Sequence, residues 1–312
     1  MQRPSGYYAP LDELDWQVLK TCQSIDSNIG YMNDVLSTSS QTLIFNSLAH
    51  QYKVDPSIFS LCTRPIDIVS KLSNTYSSLP ATDFSGRNSH TGPLIFFIHP
   101  AFLSAYLYYP LSRKINYPMI GIHPPSYDDL SLRSIPLLVE YYYNQIKSIR
   151  PHGPYHLGGW SFGGLMALAL IERIKKDKEN VASLSLIDPF FGIGERSFDF
   201  KQVFAEFVKK QPSHPHNCYL TNMNWIQNKH VKRHFLHTQM PVIHQHEFFD
   251  CDIPMIIIQS KDIKISHEES ISKHYRQATI AQSPFEHFNM MDAKAIHYIS
   301  PLINQHIKTY DC

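Results

Sequence analysis

The sequence predicts an α/β fold: a mostly parallel sheet flanked by helices, with a helical lid insertion and a small N-terminal helical region. From residue 94 onward, short apolar runs typical of buried strands alternate with longer segments of helical pattern. Before residue 75 the pattern is polar and helical, and a stretch rich in Ser, Asn and Thr follows it. A chain of 312 residues can bury an α/β core and still carry a second small unit.

These patterns divide the chain into three predicted parts. Residues 1–75 form the helical region, residues 76–91 a linker, and residues 92–312 the α/β domain. The segment of about 190–250 is too long for an ordinary connection between two strands, so it is predicted to be a lid. Strands are predicted near 94–98, 118–122, 155–160, 182–187, 254–259 and 278–282, and helices near 104–114, 132–149, 161–176, 267–276 and 292–307.

The third predicted strand leads into a glycine-rich turn, Gly158-Gly-Trp-Ser-Phe-Gly-Gly164, and then into a helix. Strand, G-x-S-x-G turn and helix are the context of the nucleophile elbow of α/β-hydrolases. In that turn Ser161 is lifted clear of the sheet, and the N–H of Phe162 at the helix N-terminus points at the oxygen of the group under attack. The sequence therefore predicts a serine nucleophile with Phe162 as an oxyanion donor.

A serine nucleophile needs an acid and a base, which in this fold follow it in the order acid, then histidine. Two acids fit: Asp188 ends the fourth predicted strand, and Asp262 follows the fifth. For the base, His287 lies between the last predicted strand and the last helix. His297 and His306 fall inside that helix and cannot readily face the elbow, which favours His287.

Several segments between residues 90 and 308 resemble the thioesterase domains of nonribosomal peptide and polyketide synthases. The segments are Leu94–Ala101 with its His-Pro pair, Gly158–Gly164, Leu186–Pro189 and Glu286–Met291. The resemblance implies Asp188 as the acid, because synthase-embedded members keep theirs at that strand end. It also implies the N–H of Ala101 as the second oxyanion donor, although the family's glycines are replaced here by Phe102-Leu103-Ser104.

The N-terminal region faintly resembles an acyl or peptidyl carrier domain over Gln41–Val54 and Arg64–Val69. Carriers bear phosphopantetheine on a serine in an Asp-Ser pair, and the corresponding place here reads Ser37-Thr38-Ser39-Ser40, without the acid. Ser39 is the candidate for attachment if the arm is present. A degenerate carrier and an unrelated helical cap remain open, and both leave phosphopantetheine on the substrate's own carrier.

Composition excludes several functional classes. A net charge of +1 offers no basic field for nucleic acid, and the five scattered cysteines indicate reduced thiols in a cytoplasm. No signal peptide or membrane span is predicted, and a secreted effector would show the same features. The lid histidines His230, His234 and His237 share a helical face but lack an acidic partner, so no metal site is predicted.

The sequence thus predicts a serine thioesterase that releases an acyl or peptidyl chain from a carrier protein or from coenzyme A. Two alternatives are a carboxylesterase or lipase with the same triad, and a catalytically silent hydrolase fold used as a binding module. Acyl substrate, hydrolysis or cyclisation, and oligomeric state are not predicted.

Overall fold

The structure, a computed structural model, describes residues 13–32, 34–52, 55–72, 81–85, 92–101, 104–125, 132, 134–189, 249–261 and 268–311. The predicted lid, apart from its last two residues, the lid histidines and Asp262 lie outside these ranges. The chain divides into two compact units, Met1–Leu79 and Pro80–Cys312.

The N-terminal unit is helical. It contains α1 (Glu13–Ile25), α2 (Thr38–Tyr52), a 3₁₀ turn (Pro56–Phe59) and α3 (Pro65–Leu72). Asp55 caps the 3₁₀ turn by accepting a hydrogen bond from the N–H of Ser57 at 2.8 Å. The apolar faces of the helices meet in one core, formed by Leu19, Cys22, Ile44, Leu48, Phe59 and Ile68.

The larger unit contains one sheet, whose described strands have the order β1-β3-β2-β4-β5-β6-β7. The strands are β1 (Ala81–Asp83), β2 (Ile95–Ile98), β3 (Met119–Ile122), β4 (Tyr155–Trp160), β5 (Val181–Ile187), β6 (Met255–Gln259) and β7 (Ala278–Gln282). Strand β1 runs antiparallel to β3, and the other neighbouring pairs are parallel. The predicted α/β-hydrolase class is thereby confirmed.

Strand β1 lies inside the segment predicted to be a linker, and this part of the prediction was wrong. A three-residue polar strand has no readable alternation, and its position is fixed by distant residues. The Thr82 hydroxyl lies 3.0 Å from Nε2 of His123, and the Phe84 ring packs where a side chain on Gly121 would otherwise stand. The edge strand therefore depends on tertiary contacts rather than on local sequence.

The described helices of this unit are α4 (Tyr109–Ser112), α5 (Ile135–Ile149), α6 (Phe162–Lys176), α7 (Glu268–His274) and α8 (Ala293–Thr309). The helix predicted over 104–114 is instead a 3₁₀ turn, Ala105–Tyr108, followed by the single turn of α4. Pro110 explains the break, because it lacks the N–H that a continuous helix would use at that position.

The central strands β2, β4, β5 and β6 are buried along most of their length, since helices cover both faces of the sheet. Because these strands are parallel, their carboxyl ends lie at one edge of the sheet. Ser161 follows β4, Asp188 follows β5 and His287 follows β7. The fold thus brings three segments that are distant in sequence to the same edge.

Candidate active site

Ser161 occupies the turn between β4 and α6 in a strained backbone conformation. Its φ is 56° and its ψ is −120°, and its N–H donates to the carbonyl of Ile187 at 3.0 Å. A Cβ on Gly163 would lie 2.1 Å from the Ile98 carbonyl oxygen, and one on Gly159 would lie 2.4 Å from the Gly163 carbonyl carbon. Only glycine fits at either position, so the sharp turn requires both residues.

Asp188 stands at the end of β5 and is almost wholly buried, with 1% of its surface exposed. Its own N–H donates to the Ile258 carbonyl at 2.7 Å, and its φ of 43° turns the chain out of the sheet. Oδ1 accepts a hydrogen bond from the N–H of Ser260 at 2.9 Å. The backbone at the end of β6 therefore holds one carboxylate oxygen and leaves the other to face His287.

His287 begins the 3₁₀ turn His287–Asn289 after β7 and lies between the other two side chains. Its Nδ1 is 2.5 Å from Oδ2 of Asp188, and its Nε2 is 3.1 Å from Oγ of Ser161. Because a carboxylate only accepts hydrogen bonds, Nδ1 carries the proton and Nε2 is left to accept from the serine hydroxyl. The imidazole also packs against the Trp160 ring, with centroids 5.2 Å apart and the ring planes tilted by 38°.

The predicted oxyanion donors belong to two adjoining segments. Phe162 is the first residue of α6, where N–H groups have no partner within the helix. The loop after β2 reaches the same place, since a Cβ on Gly163 would also lie 2.9 Å from the carbonyl oxygen of His99. The rings of His99 and Phe162 are 5.7 Å apart.

A buried hydrogen-bond chain holds the peptide that carries the Ala101 N–H. Nδ1 of His99 lies 2.8 Å from the Pro100 carbonyl oxygen, and Nε2 lies 2.7 Å from the hydroxyl of Tyr142. The carbonyl only accepts, so Nδ1 donates to it. The Pro100 carbonyl and the Ala101 N–H belong to one rigid peptide plane, so this chain fixes the direction of the N–H.

The structure thus joins Ser161, His287 and Asp188 in one line of hydrogen bonds and leaves Asp262 outside the described residues. Ser39 lies in the N-terminal unit, exposed in the first turn of α2. Sequence reasoning missed Ser260 and Tyr142. The contact of Ser260 depends on the register of β5 and β6, and that of Tyr142 on the packing of α5, so neither has a sequence motif.

The described residues contain neither a cluster of metal ligands nor a membrane-spanning helix. No group of three or more His, Cys, Asp or Glu side chains is arranged there to hold a metal ion. No helix in the same ranges is both long and apolar enough to span a bilayer.

Part of the chain, including the elbow, is similar to a known family. Residues 93–197, about a third of the chain, match the family model for the thioesterase domain. The family is one of hydrolases, and the matched range contains Ser161 and Asp188.

The curated relatives of the chain are large synthases. The chain is 33% identical over 104 residues to N-(5-amino-5-carboxypentanoyl)-L-cysteinyl-D-valine synthase of Penicillium rubens, which covers 33% of this chain and 3% of the relative. It is 30% identical over 99 residues to polyketide synthase PksR of Bacillus subtilis, which covers 31% of this chain and 4% of the relative. The chain therefore spans a very small part of these relatives.

Solved structures share the fold at low identity. The NocB thioesterase domain, in a covalent complex with a fluorophosphonate nocardicin G analog, aligns with a TM-score of 0.58 and 17% identity. The alignment covers 73% of this chain and 100% of that one. A four-domain nonribosomal peptide synthetase, holo-AB3403, aligns with a TM-score of 0.69 and 16% identity over 98% of this chain and 27% of that one.

Proposed function

We propose that this protein is a serine thioesterase that releases an acyl or peptidyl chain from a carrier-protein or coenzyme A thioester. One observation carries the proposal. Oγ of Ser161, both ring nitrogens of His287 and a buried carboxylate oxygen of Asp188 form a continuous line of hydrogen bonds at the end of a strained elbow. A silent binding module has no need of that strain or of a buried carboxylate held by the backbone.

The first half of the reaction forms an acyl-enzyme. Nε2 of His287 takes the hydroxyl proton as Oγ of Ser161 attacks the thioester carbon, and the N–H groups of Phe162 and Ala101 hold the oxyanion. The carbon–sulfur bond then breaks, the leaving sulfur takes the proton that His287 carries, and the free thiol departs. A thiol with an ordinary pKa of about 8.5 is a good leaving group, so little acid assistance is needed.

The second half releases the product. Nε2 of His287 takes a proton from water, or from a nucleophile within the acyl chain, and that oxygen or nitrogen attacks the acyl-enzyme. The ester bond to Ser161 breaks, and Oγ recovers its proton from His287. Asp188 holds the imidazole in the required orientation and stabilises its charged form throughout.

The comparisons support the substrate class. The curated relatives are named as peptide and polyketide synthases. The NocB thioesterase domain is described in a covalent complex with a fluorophosphonate analog of nocardicin G, and the Vlm2 thioesterase domain with a bound dodecadepsipeptide. By similarity, we infer that this site accepts an acyl or peptidyl chain as an ester on Ser161.

We infer that the acyl donor arrives on a separate carrier or on coenzyme A, rather than on Ser39. An acidic residue does not precede Ser39, as it does in a carrier's Asp-Ser pair; Thr38 stands there. The nearby carboxylate of Asp26 is instead occupied by the hydroxyls of Ser37 and Ser40, at 2.9 and 3.0 Å. Ser39 itself shares a hydrogen bond with Ser37 at 3.2 Å.

The alignment with the four-domain synthetase extends over 98% of this chain, whereas the isolated NocB domain covers 73%. The additional quarter corresponds in size to the unit Met1–Leu79. From the sequence resemblance we infer a carrier-like fold for this unit, and the serine network around Asp26 supports a degenerate carrier. A cytoplasmic location is supported by the buried free thiols of Cys22, Cys62 and Cys251.

Paired substrates test the thioester assignment. We expect kcat/KM for an acyl-pantetheine thioester to exceed that for the nitrophenyl ester of the same acyl chain, and Ser161→Ala to abolish both activities. Turnover of the oxygen ester alone would assign the protein to the carboxylesterase or lipase class instead. A folded protein with neither activity would favour the binding module.

A further inference from the structure

The hydroxyl of Tyr108 lies between two strands at the edge of the sheet where the elbow begins. It donates to the Ile98 carbonyl at 2.8 Å and accepts from the Trp160 N–H at 2.8 Å. The side chain is fully buried, and its ring packs edge-on against Phe97 with centroids 5.0 Å apart. Burial raises the pKa of this phenol well above its usual range, so the hydroxyl keeps its proton.

The strand register shows what this hydroxyl replaces. Ile98 is paired with Gly159 in the parallel β2–β4 ladder, while the N–H of His99 donates to Ile122 on the opposite neighbour, β3. The carbonyl of Ile98 therefore points toward β4, where the next rung of the ladder would join it to the N–H of Trp160. The Tyr108 hydroxyl is inserted into that rung and satisfies both backbone groups.

The Tyr108 hydroxyl bonds to a carbonyl that is also in close contact with the elbow. The Ile98 carbonyl oxygen is the atom that a Cβ on Gly163 would approach to 2.1 Å, so the first turn of α6 packs directly against it. Trp160 immediately precedes Ser161, and Ile98 lies three residues before Ala101. One hydroxyl thus connects the two segments whose N–H groups are assigned to the oxyanion.

We propose that Tyr108 is a positioning residue of the oxyanion hole, whose hydroxyl sets the separation between the Ser161 elbow and the loop that ends at Ala101. The inference rests on the proposed function, because it presupposes an oxyanion at this place. Tyr108 acts through Trp160 and Ile98 rather than on the reacting atoms. Without the hydroxyl, the Ile98 carbonyl and the Trp160 N–H either lose their hydrogen bonds or bond directly to each other. We expect either change to displace the oxyanion donors, which are the N–H groups that follow on the two segments.

Tyr108→Phe tests the proposal. We expect kcat on an acyl-pantetheine to fall about 10- to 100-fold with KM changed less than about twofold, because donors displaced by a fraction of an ångström weaken mainly the transition state. The rate constant for inactivation by a fluorophosphonate should fall by a similar factor, since the phosphonyl oxygen occupies the same hole. A merely structural role would change neither rate in protein that remains folded.

Tyr143→Phe is the matched control. Tyr143 is also buried, but its hydroxyl donates to Asp177 at the far end of α6, at 2.7 Å. Both variants should lose stability, and only Tyr108→Phe should lose kcat. Wild-type kcat and inactivation rates in folded Tyr108→Phe overturn the proposal. Equal losses of kcat in both variants overturn it as well.

A second measurement covers the case in which Tyr108→Phe does not fold. Replacing Tyr108 by 4-aminophenylalanine keeps the size of the side chain and a donor for the Ile98 carbonyl but removes a good acceptor for the Trp160 N–H; a reduced kcat supports the proposal, and an unchanged one overturns it. Failure of the proposed function remains distinguishable. If the wild-type protein is not labelled on Ser161, the thioesterase assignment fails, whereas equal labelling rates for wild type and Tyr108→Phe remove only the role of Tyr108.

Discussion

Nδ1 of His287 lies 2.5 Å from Oδ2 of Asp188, although the two residues are 99 positions apart in the chain. The contact exists because β5 and β7 are parallel strands on either side of β6, so their carboxyl ends open onto one edge of the sheet. The N–H of Ser260 at the end of β6 completes the arrangement by holding the second carboxylate oxygen. This contact assigns the acid to Asp188 in the mechanism proposed above.

Asp188→Asn should lower kcat by about 10⁴-fold with little loss of folding, because the amide cannot hold His287 in the required tautomer. Asp262→Asn is the control, since Asp262 is the other acid that the sequence offers. We expect it to retain near wild-type kcat. Steady-state kinetics on one thioester decide between them, and the reverse pattern would move the acid to Asp262.

Gly163→Ala should destabilise the protein by about 3 kcal/mol or more, because its new methyl would lie 2.1 Å from a backbone oxygen that cannot move aside. Gly164→Ala is the matched change, and its methyl meets the Pro189 side chain at 3.0 Å. The Gly159 carbonyl oxygen is 3.2 Å away, so a shift of a few tenths of an ångström relieves both contacts, and we expect a loss of about 1 kcal/mol. Urea unfolding of both variants measures the difference in unfolding free energy. Equal losses would contradict the close packing of Gly163 against the Ile98 carbonyl oxygen.

Three buried imidazoles should make the fold less stable in mild acid. Burial lowers the pKa of His123 to about 3, and that of His156 and His306 to about 4. Between these values and the unfolded pKa of about 6.5, the unfolded chain binds more protons than the folded one, so stability is lost as pH falls. His123 alone should account for about 2 kcal/mol between pH 7 and pH 5.

The measurement is urea unfolding at pH 7 and pH 5, with His123→Gln as the comparison. Loss of the imidazole should reduce the pH-dependent part of the unfolding free energy by about 2 kcal/mol. An identical pH dependence in both proteins would mean that His123 is charged, or solvated, in the fold.

Ser39 should gain no phosphopantetheine when the protein is incubated with coenzyme A and a phosphopantetheinyl transferase. The physical reason is the missing acid before Ser39 and the engagement of Asp26 by Ser37 and Ser40. Intact mass spectrometry makes the measurement, with a functional carrier domain as the positive control. A mass gain that disappears in Ser39→Ala would show that the N-terminal unit carries its own substrate.

Elements with strong local patterns could be predicted from sequence. The apolar run Met255–Gln259 and the glycines around Ser161 identify a buried strand and an elbow because their physical causes are local. Strand β1 and the Ser260 contact could not be predicted, because the first is fixed by His123 and the second by the register of β5 with β6. His287 could be predicted as the base from its position between the last strand and the last helix.

The most direct test of the account is fluorophosphonate labelling followed by peptide mass spectrometry, on wild type, Ser161→Ala and Asp188→Asn. We expect one modified residue, Ser161, with no labelling in Ser161→Ala and much slower labelling in Asp188→Asn. A folded wild-type protein that stays unlabelled, or that is labelled equally when Ser161 is alanine, would contradict the assignment of Ser161 as the nucleophile.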